Sequence, residues 1–179
     1  MMPAWPSDVP ANAVLRDGSR VLLRPLTHGD VGPLLDLAQH LPKGTLYTQF
    51  FGMPRPPATE VQNLLAAAGD RLVVIVAECA GSLVGVACYS RSDDKTHAEV
   101  TLAVAVSFQR RGLGLLLLKS IARMAHVNGI RAFDAFVLAD NHSLMRLLIA
   151  SGFSLTEQPV AGVQQVQLAL GPQFGRAPA

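Results

Sequence analysis

From Ala98 to Leu118 the chain reads AEVTLAVAVSFQRRGLGLLLL, and this run narrows the possible folds more than any other. Val100, Leu102, Val104 and Val106 alternate with Glu99, Thr101, Ala103 and Ala105, the two-residue period of a strand with one buried face. Glu99 stands on the face of smaller residues. Gln109, Arg110, Arg111, Gly112, Leu113 and Gly114 come next and open into a strongly apolar helix. A strand, a glycine loop and a helix N-terminus in this order bring backbone N–H groups and two guanidinium groups to one place, where they can hold an anion. Alone, the short pattern is equally an ordinary tight turn before a buried helix. Other nucleotide sites fail on spacing: no third glycine follows as in a dinucleotide fingerprint, and no Gly-Lys-Ser/Thr closes the loop as in a P-loop.

The rest of the chain decides between these readings. Its 179 residues, 50% hydrophobic and 16% charged, suit one domain with a substantial core and argue against disorder. Fifteen basic against 13 acidic residues leave +2, too little and too scattered for a nucleic-acid surface. The opening MMPAWPSDVPAN carries proline where a leader would be apolar, and no run approaches the roughly 18 apolar residues of a spanning helix. The expectation is a soluble cytoplasmic protein with neither membrane nor nucleic acid as partner. The five histidines lack ligand spacing and Cys79 and Cys88 form no Cys-x-x-Cys pair, so no metal is expected and the thiols read as buried and reduced.

Residues 1–12 read as a flexible arm, 13–170 as the folded domain and 171–179 as a Gly/Pro-rich tail. Asp17 and Gly18 turn into a strand from Arg20 to Arg24, ended by Pro25. Asp30 precedes a helix bearing Val31, Leu34, Leu35 and Ala38. Pro42 to Pro57 reads as a loop with helical pieces around Tyr47, Phe50 and Phe51, and Thr59 as the cap of a second helix through Ala68. Leu72–Glu78 and Ser82–Tyr89 form a hairpin that sets Cys79 opposite Ser82 and Cys88 opposite Val73. After the helix from Gly112 to Val127, a strand over Ala132–Val137 runs parallel to the central one, Asn141 opens a fourth helix, and Phe153–Glu157 and Val163–Leu170 close the sheet around a turn with Pro159 and Gly162. The edge of a terminal strand such as Val163–Leu170 either pairs with a second copy or is covered within the monomer.

Gln109-x-x-Gly112-x-Gly114 resembles the signature of the GNAT acyl-CoA N-acyltransferases, and the β-α-α-β-β-β-α-β-α-β-β order resembles their fold from Val14 to Leu170. Asn141 with Gly152 and Phe153 stands where that family has a second motif. The resemblance implies an α/β fold, a mixed, mostly antiparallel sheet of about seven strands flanked by about four helices. It also implies acetyl-CoA as donor substrate. Residues Arg110, Arg111, Gly112, Leu113, Gly114 and Leu115 would then bind the pyrophosphate, Leu102, Ala103 and Val104 the pantetheine arm, and Asn141 the pantetheine or leaving-group side. Asparagine is also a favoured helix N-cap, and both roles stay open.

Asp17-Gly18-x-x-Val21-x-x-Arg24-Pro25 together with Ala98, Glu99 and Val100 is similar to Pat-type bacterial protein lysine acetyltransferases, in which a glutamate on this strand is the general base. Aminolysis of a thioester needs an amine that has lost its proton, and a lysine with a pKa near about 10.4 is almost wholly charged at neutral pH. The resemblance therefore implies Glu99 as catalytic base and a primary amine as acceptor, such as a lysine on a metabolic enzyme. Many family members carry a tyrosine four residues before the Gly-Phe glycine to protonate the leaving thiolate; here that residue is Leu148. Two alternatives stand beside this: an N-acetyltransferase of small amines, and a non-catalytic acyl-CoA-binding regulatory module. Glu99 is also read as a solvated carboxylate at a strand end, and His97, two residues away, as a relay partner or an exposed hairpin histidine.

Overall fold

The computed structural model describes residues 5–7, 9–41, 58–69, 71–138, 141–160 and 163–171. Eight strands, β1 (Asn12–Val14), β2 (Arg20–Pro25), β3 (Leu72–Cys79), β4 (Ser82–Arg91), β5 (His97–Val104), β6 (Ala132–Leu138), β7 (Ser154–Val160) and β8 (Val163–Ala169), form one sheet ordered β1-β2-β3-β4-β5-β6-β8-β7. Every neighbouring pair is antiparallel except β5 and β6. Four helices, α1 (Val31–Gln39), α2 (Ala58–Ala67), α3 (Leu113–Val127) and α4 (His142–Ala150), complete the described fold.

The alternation in β5 divides the core. Val100 and Val104 face α3, whose Leu113, Leu117, Leu118, Ile121 and Met124 are buried at helical spacing and pack with Tyr89 and Phe133. Ala103, with Val86 and Cys88 of β4, faces Leu34, Leu37 and Ala38 of α1. Cys88 is buried and Cys79 half-buried, both as free thiols. Among the described residues, no helix is long and apolar enough to cross a membrane.

Several details differ from the sequence reading. An eighth strand, β1, pairs with β2 through Asn12, Ala13 and Val14; three residues are too few to show a period. Within the segment read as an arm, Val9 is buried in the core and accepts a hydrogen bond at its carbonyl from the Trp5 indole at 2.9 Å. Cys79 pairs with Ser82 as expected, but Cys88 pairs with Val74 rather than Val73, because a bulge between Ala77 and Glu78 shifts the register by one. β5 ends at Val104, and Val106 begins a 3-10 turn, 56% exposed. Helix α2 begins at Ala58, so Thr59 lies inside it. Pro159 lies within β7, tolerated because β7 is an edge strand, while β8 is enclosed between β6 and β7, the second of the two alternatives for its edge. The Pro42–Pro57 loop and Gly162 lie outside the described residues.

Candidate active site

Parallel β5 and β6 pair at only three positions, His97 with Ala132, Ala98 with Phe133 and Glu99 with Asp134. Beyond Glu99 the strands part. The Ala105 N–H donates to the Val84 carbonyl of β4 at 2.9 Å, so by alternation the polar backbone groups of Thr101 and Ala103 also face β4. Those of Leu102 and Val104 point the other way, along an edge that no described strand covers. Leu102 and Val104 thus offer their amides as the sequence suggests, whereas Ala103 reaches the cleft with its amide turned to β4.

This gap is a cleft of about 650 Å3, walled by β5 on one side and by Ala135, Phe136 and Leu138 of β6 on the other. The glycine loop lies at one end. Gly112 is the N-cap of α3, with φ 93°, a left-handed conformation that favours glycine, and has no side chain to cap the helix. The first helical bond runs from Leu116 N–H to the Gly112 carbonyl at 3.0 Å, so the N–H groups of Leu113, Gly114 and Leu115 have no partner within the helix. Gly114 answers a different demand: a Cβ there would lie 2.7 Å from Leu147 Cδ1 of α4, so the absence of a side chain lets the two helices approach. Gln109, first residue of the motif, donates its Nε2 to the Val104 carbonyl at 3.2 Å and ties the loop to the strand end.

Arg110, Gly112, Gly114, Leu115, Leu102, Ala103, Val104 and Asn141 all line the cleft. Three of the expected site residues do not: Leu113, Arg111 and Glu99, which stands just beyond the cleft's Val100. Leu113 is fully buried in the core and has only its amide to offer. Arg111 turns away: its guanidinium pairs with Asp17 at 2.5 Å and lies over the Phe108 ring, 4.9 Å from the centroid. Two arginines absent from the sequence reading, Arg16 from the β1–β2 turn and Arg146 from α4, line the cleft with Arg110, and among the described residues no carboxylate lines it. A cleft that is apolar within and carries arginines without acids suits an anion with an apolar arm.

Asn141 caps α4, its Oδ1 accepting from the Leu144 N–H at 3.1 Å, and also lines the cleft, so the two roles read from sequence coexist. Leu148 is 1% exposed and lines the same cleft, leaving an apolar wall where many relatives have a hydroxyl.

Glu99 is the last residue before the strands separate, half-buried, with Oε1 buried and unbonded. Burial, and after it the charge of paired Asp134, pushes its carboxyl above the ordinary glutamate value of 4.5. Asp134 accepts from Gln167 Nε2 of β8 at 3.2 Å. His97 shares a face with Glu99, but its Nδ1 is engaged by Asp94 at 2.5 Å and Thr96 at 3.2 Å within the turn.

This sheet, opened between two parallel strands beside a glycine loop, defines an acyl-CoA N-acyltransferase fold. The acetyltransferase (GNAT) family profile matches residues 44–153, and the chain belongs to that family. It is 29% identical over 142 residues to the acetyltransferase Pat of Mycolicibacterium smegmatis, a match covering 78% of this chain and 43% of that protein. The chain therefore spans less than half the length of that curated relative. The GNAT domain of S. lividans PAT superposes with a TM-score of 0.81 at 26% identity, over 93% of this chain and 99% of that one. YncA from Salmonella typhimurium, solved with its cofactor acetyl-CoA, shares the fold with a TM-score of 0.65 at 23% identity, over 84% of this chain and 94% of that one.

Proposed function

We propose that the protein transfers an acetyl group from acetyl-CoA to a primary amine, a lysine side chain of another protein, by direct aminolysis with Glu99 as general base. The observation that carries this is the fork: one uncovered strand edge leads from the unfilled amides of the glycine loop to Glu99. In this reading the loop amides and cleft arginines hold the phosphates, and Leu102 and Val104 pair with the pantetheine arm. Glu99 takes the proton from the acceptor's ammonium; the amine nitrogen bonds to the acetyl carbon as the carbon–sulfur bond breaks. The nitrogen then sheds its second proton to water, and water returns a proton to the departing thiolate, since Leu148 has no hydroxyl to supply it. The likeness to Pat, at 29% identity, supports a protein lysine over a small amine.

Calorimetric titration with acetyl-CoA tests the donor half. Binding by the wild-type chain, lost in Gly112→Asp where a carboxylate meets the phosphates, is the expected result. No binding by a folded wild-type chain would end the donor reading. For the acceptor half, mass spectrometry of acetylated lysines on candidate proteins is set against thiol release with small amines. Turnover of small amines alone would overturn the protein-lysine reading and leave acetyl transfer standing.

A further inference from the structure

We infer that Arg16, on the turn between β1 and β2, is a phosphate-binding residue of the donor site and takes the part that the motif's position assigns to Arg111. The inference rests on the acetyl-CoA reading above and adds a residue 96 positions before Gly112 in the chain.

The turn is fastened to the glycine loop by two contacts, and the ring of Phe108 backs the second of them. The Arg16 N–H donates to the Arg111 carbonyl at 3.1 Å, and the Arg111 guanidinium pairs with Asp17 while lying over Phe108. Asp17 in turn accepts from the Ser19 N–H at 3.1 Å and from its hydroxyl at 2.8 Å, which fixes the turn itself. Arg111 therefore has its charge answered and its plane covered. It acts as the latch.

The latch sets the preceding side chain over the loop. Arg16 Cγ, Nε and Cδ lie 3.7, 3.7 and 3.9 Å from the point where a Cβ on Gly112 would stand, and Arg16 lines the cleft. Among the described residues its guanidinium has no ion-pair partner, and the side chain is exposed at the cleft it lines. A guanidinium is a rigid fork that matches phosphate geometry and keeps its charge at any working pH. The loop amides of Leu113, Gly114 and Leu115 are neutral donors; Arg16 brings a full charge to the same end of the cleft. Coenzyme A offers two kinds of phosphate there, the diphosphate and the ribose 3′-phosphate, and the shared chemistry is a phosphate oxygen held by this fork.

The test is acetyl-CoA affinity of Arg16→Ala by calorimetry, with thermal unfolding as the check that this exposed-turn variant folds. The expected result is a loss of about 10- to 100-fold, the size of a charge-assisted hydrogen bond, recovered in part by Arg16→Lys. With 3′-dephospho-acetyl-CoA, a loss that persists places Arg16 on the diphosphate and a loss that vanishes places it on the 3′-phosphate; either supports the inference. Unchanged acetyl-CoA affinity in folded Arg16→Ala would overturn it, as would an equal loss for acetyl-pantetheine, which has no phosphate. If the wild-type chain binds no acetyl-CoA, the donor reading fails and this inference with it; if the wild type binds and Arg16→Ala binds equally, only the role of Arg16 falls.

Discussion

Asp30 and Glu99 are both carboxylates drawn out of water by the same fold, and their surroundings push them in opposite directions. Asp30, 4% exposed, accepts from Arg24 Nη1 and Nη2 and from the backbone N–H and hydroxyl of Thr27, each at 2.7 Å. The Arg24 hydrogen bonds outweigh burial and hold its pKa at about 2. Arg24 also reaches Glu78 at 2.9 Å, so one guanidinium joins β2, β3 and the start of α1. Glu99 has neither a cation nor a hydrogen bond on its buried oxygen, and its neighbour Asp134 carries the same charge. A carboxylate with each oxygen answered is a fixed charge that builds structure. One with an unanswered oxygen and a raised pKa is a proton acceptor with reason to accept.

The sharpest way to break this contrast is Glu99→Gln. Turnover should fall by about 10²-fold or more, while acetyl-CoA affinity and the urea midpoint hold, because the change removes a half-buried charge set beside Asp134. Undiminished turnover would remove Glu99 from the mechanism. Asp30→Asn should do the reverse. It leaves the Arg24 guanidinium short of its partner and should cost about 2 kcal/mol of stability in urea unfolding, with acetyl-CoA affinity retained. An unmoved midpoint would show that the Arg24 cluster does not hold the elements together.

Acid separates the two carboxylates by sign. The folded pKa of Asp30 lies below its ordinary value of 3.8, so its stabilisation is complete above that value and fades as pH falls toward about 2. Glu99 is shifted upward, so its contribution is complete below 4.5 and is lost as pH rises through the raised folded value. The smallest expected effect follows from the lesser of the two causes acting on Glu99. Asp134→Asn should move the acidic limb of the pH–turnover profile to lower pH, by only part of the displacement, since burial is the larger cause. A limb that stays in place would mean that Asp134 does not tune Glu99 or that another group controls the profile.

What was legible in the sequence is what depends on neighbours in the chain. The alternation of β5, the glycine loop, the buried stripe of α3 and the Asn141 cap are local patterns, and each stands within a residue or two of its expected place. What was hidden is what the fold brings from far away. Arg16 belongs to a turn with no pattern of its own until Arg111 fastens it to the loop. Arg110 and Arg111 are adjacent and alike in sequence, yet one lines the cleft and the other faces Asp17. The hairpin gave its first pair correctly and lost the register at a bulge that no turn residue marks. Pro159 was read as a turn because an edge position, where its missing N–H is harmless, is a property of the whole sheet.

The three-residue seam between β5 and β6 has a consequence for how much folded protein persists. A ligand seated along the uncovered edge would touch both halves of the sheet, and its site would exist only when those halves have come together. Its free concentration then enters the folding equilibrium: at about 100 times its Kd it adds about 2.7 kcal/mol, a sizeable share of the roughly 5–15 kcal/mol typical of a domain. Without it the folded form would still dominate, but the small unfolded fraction would rise about 100-fold, and with it the exposure of the chain to proteolysis.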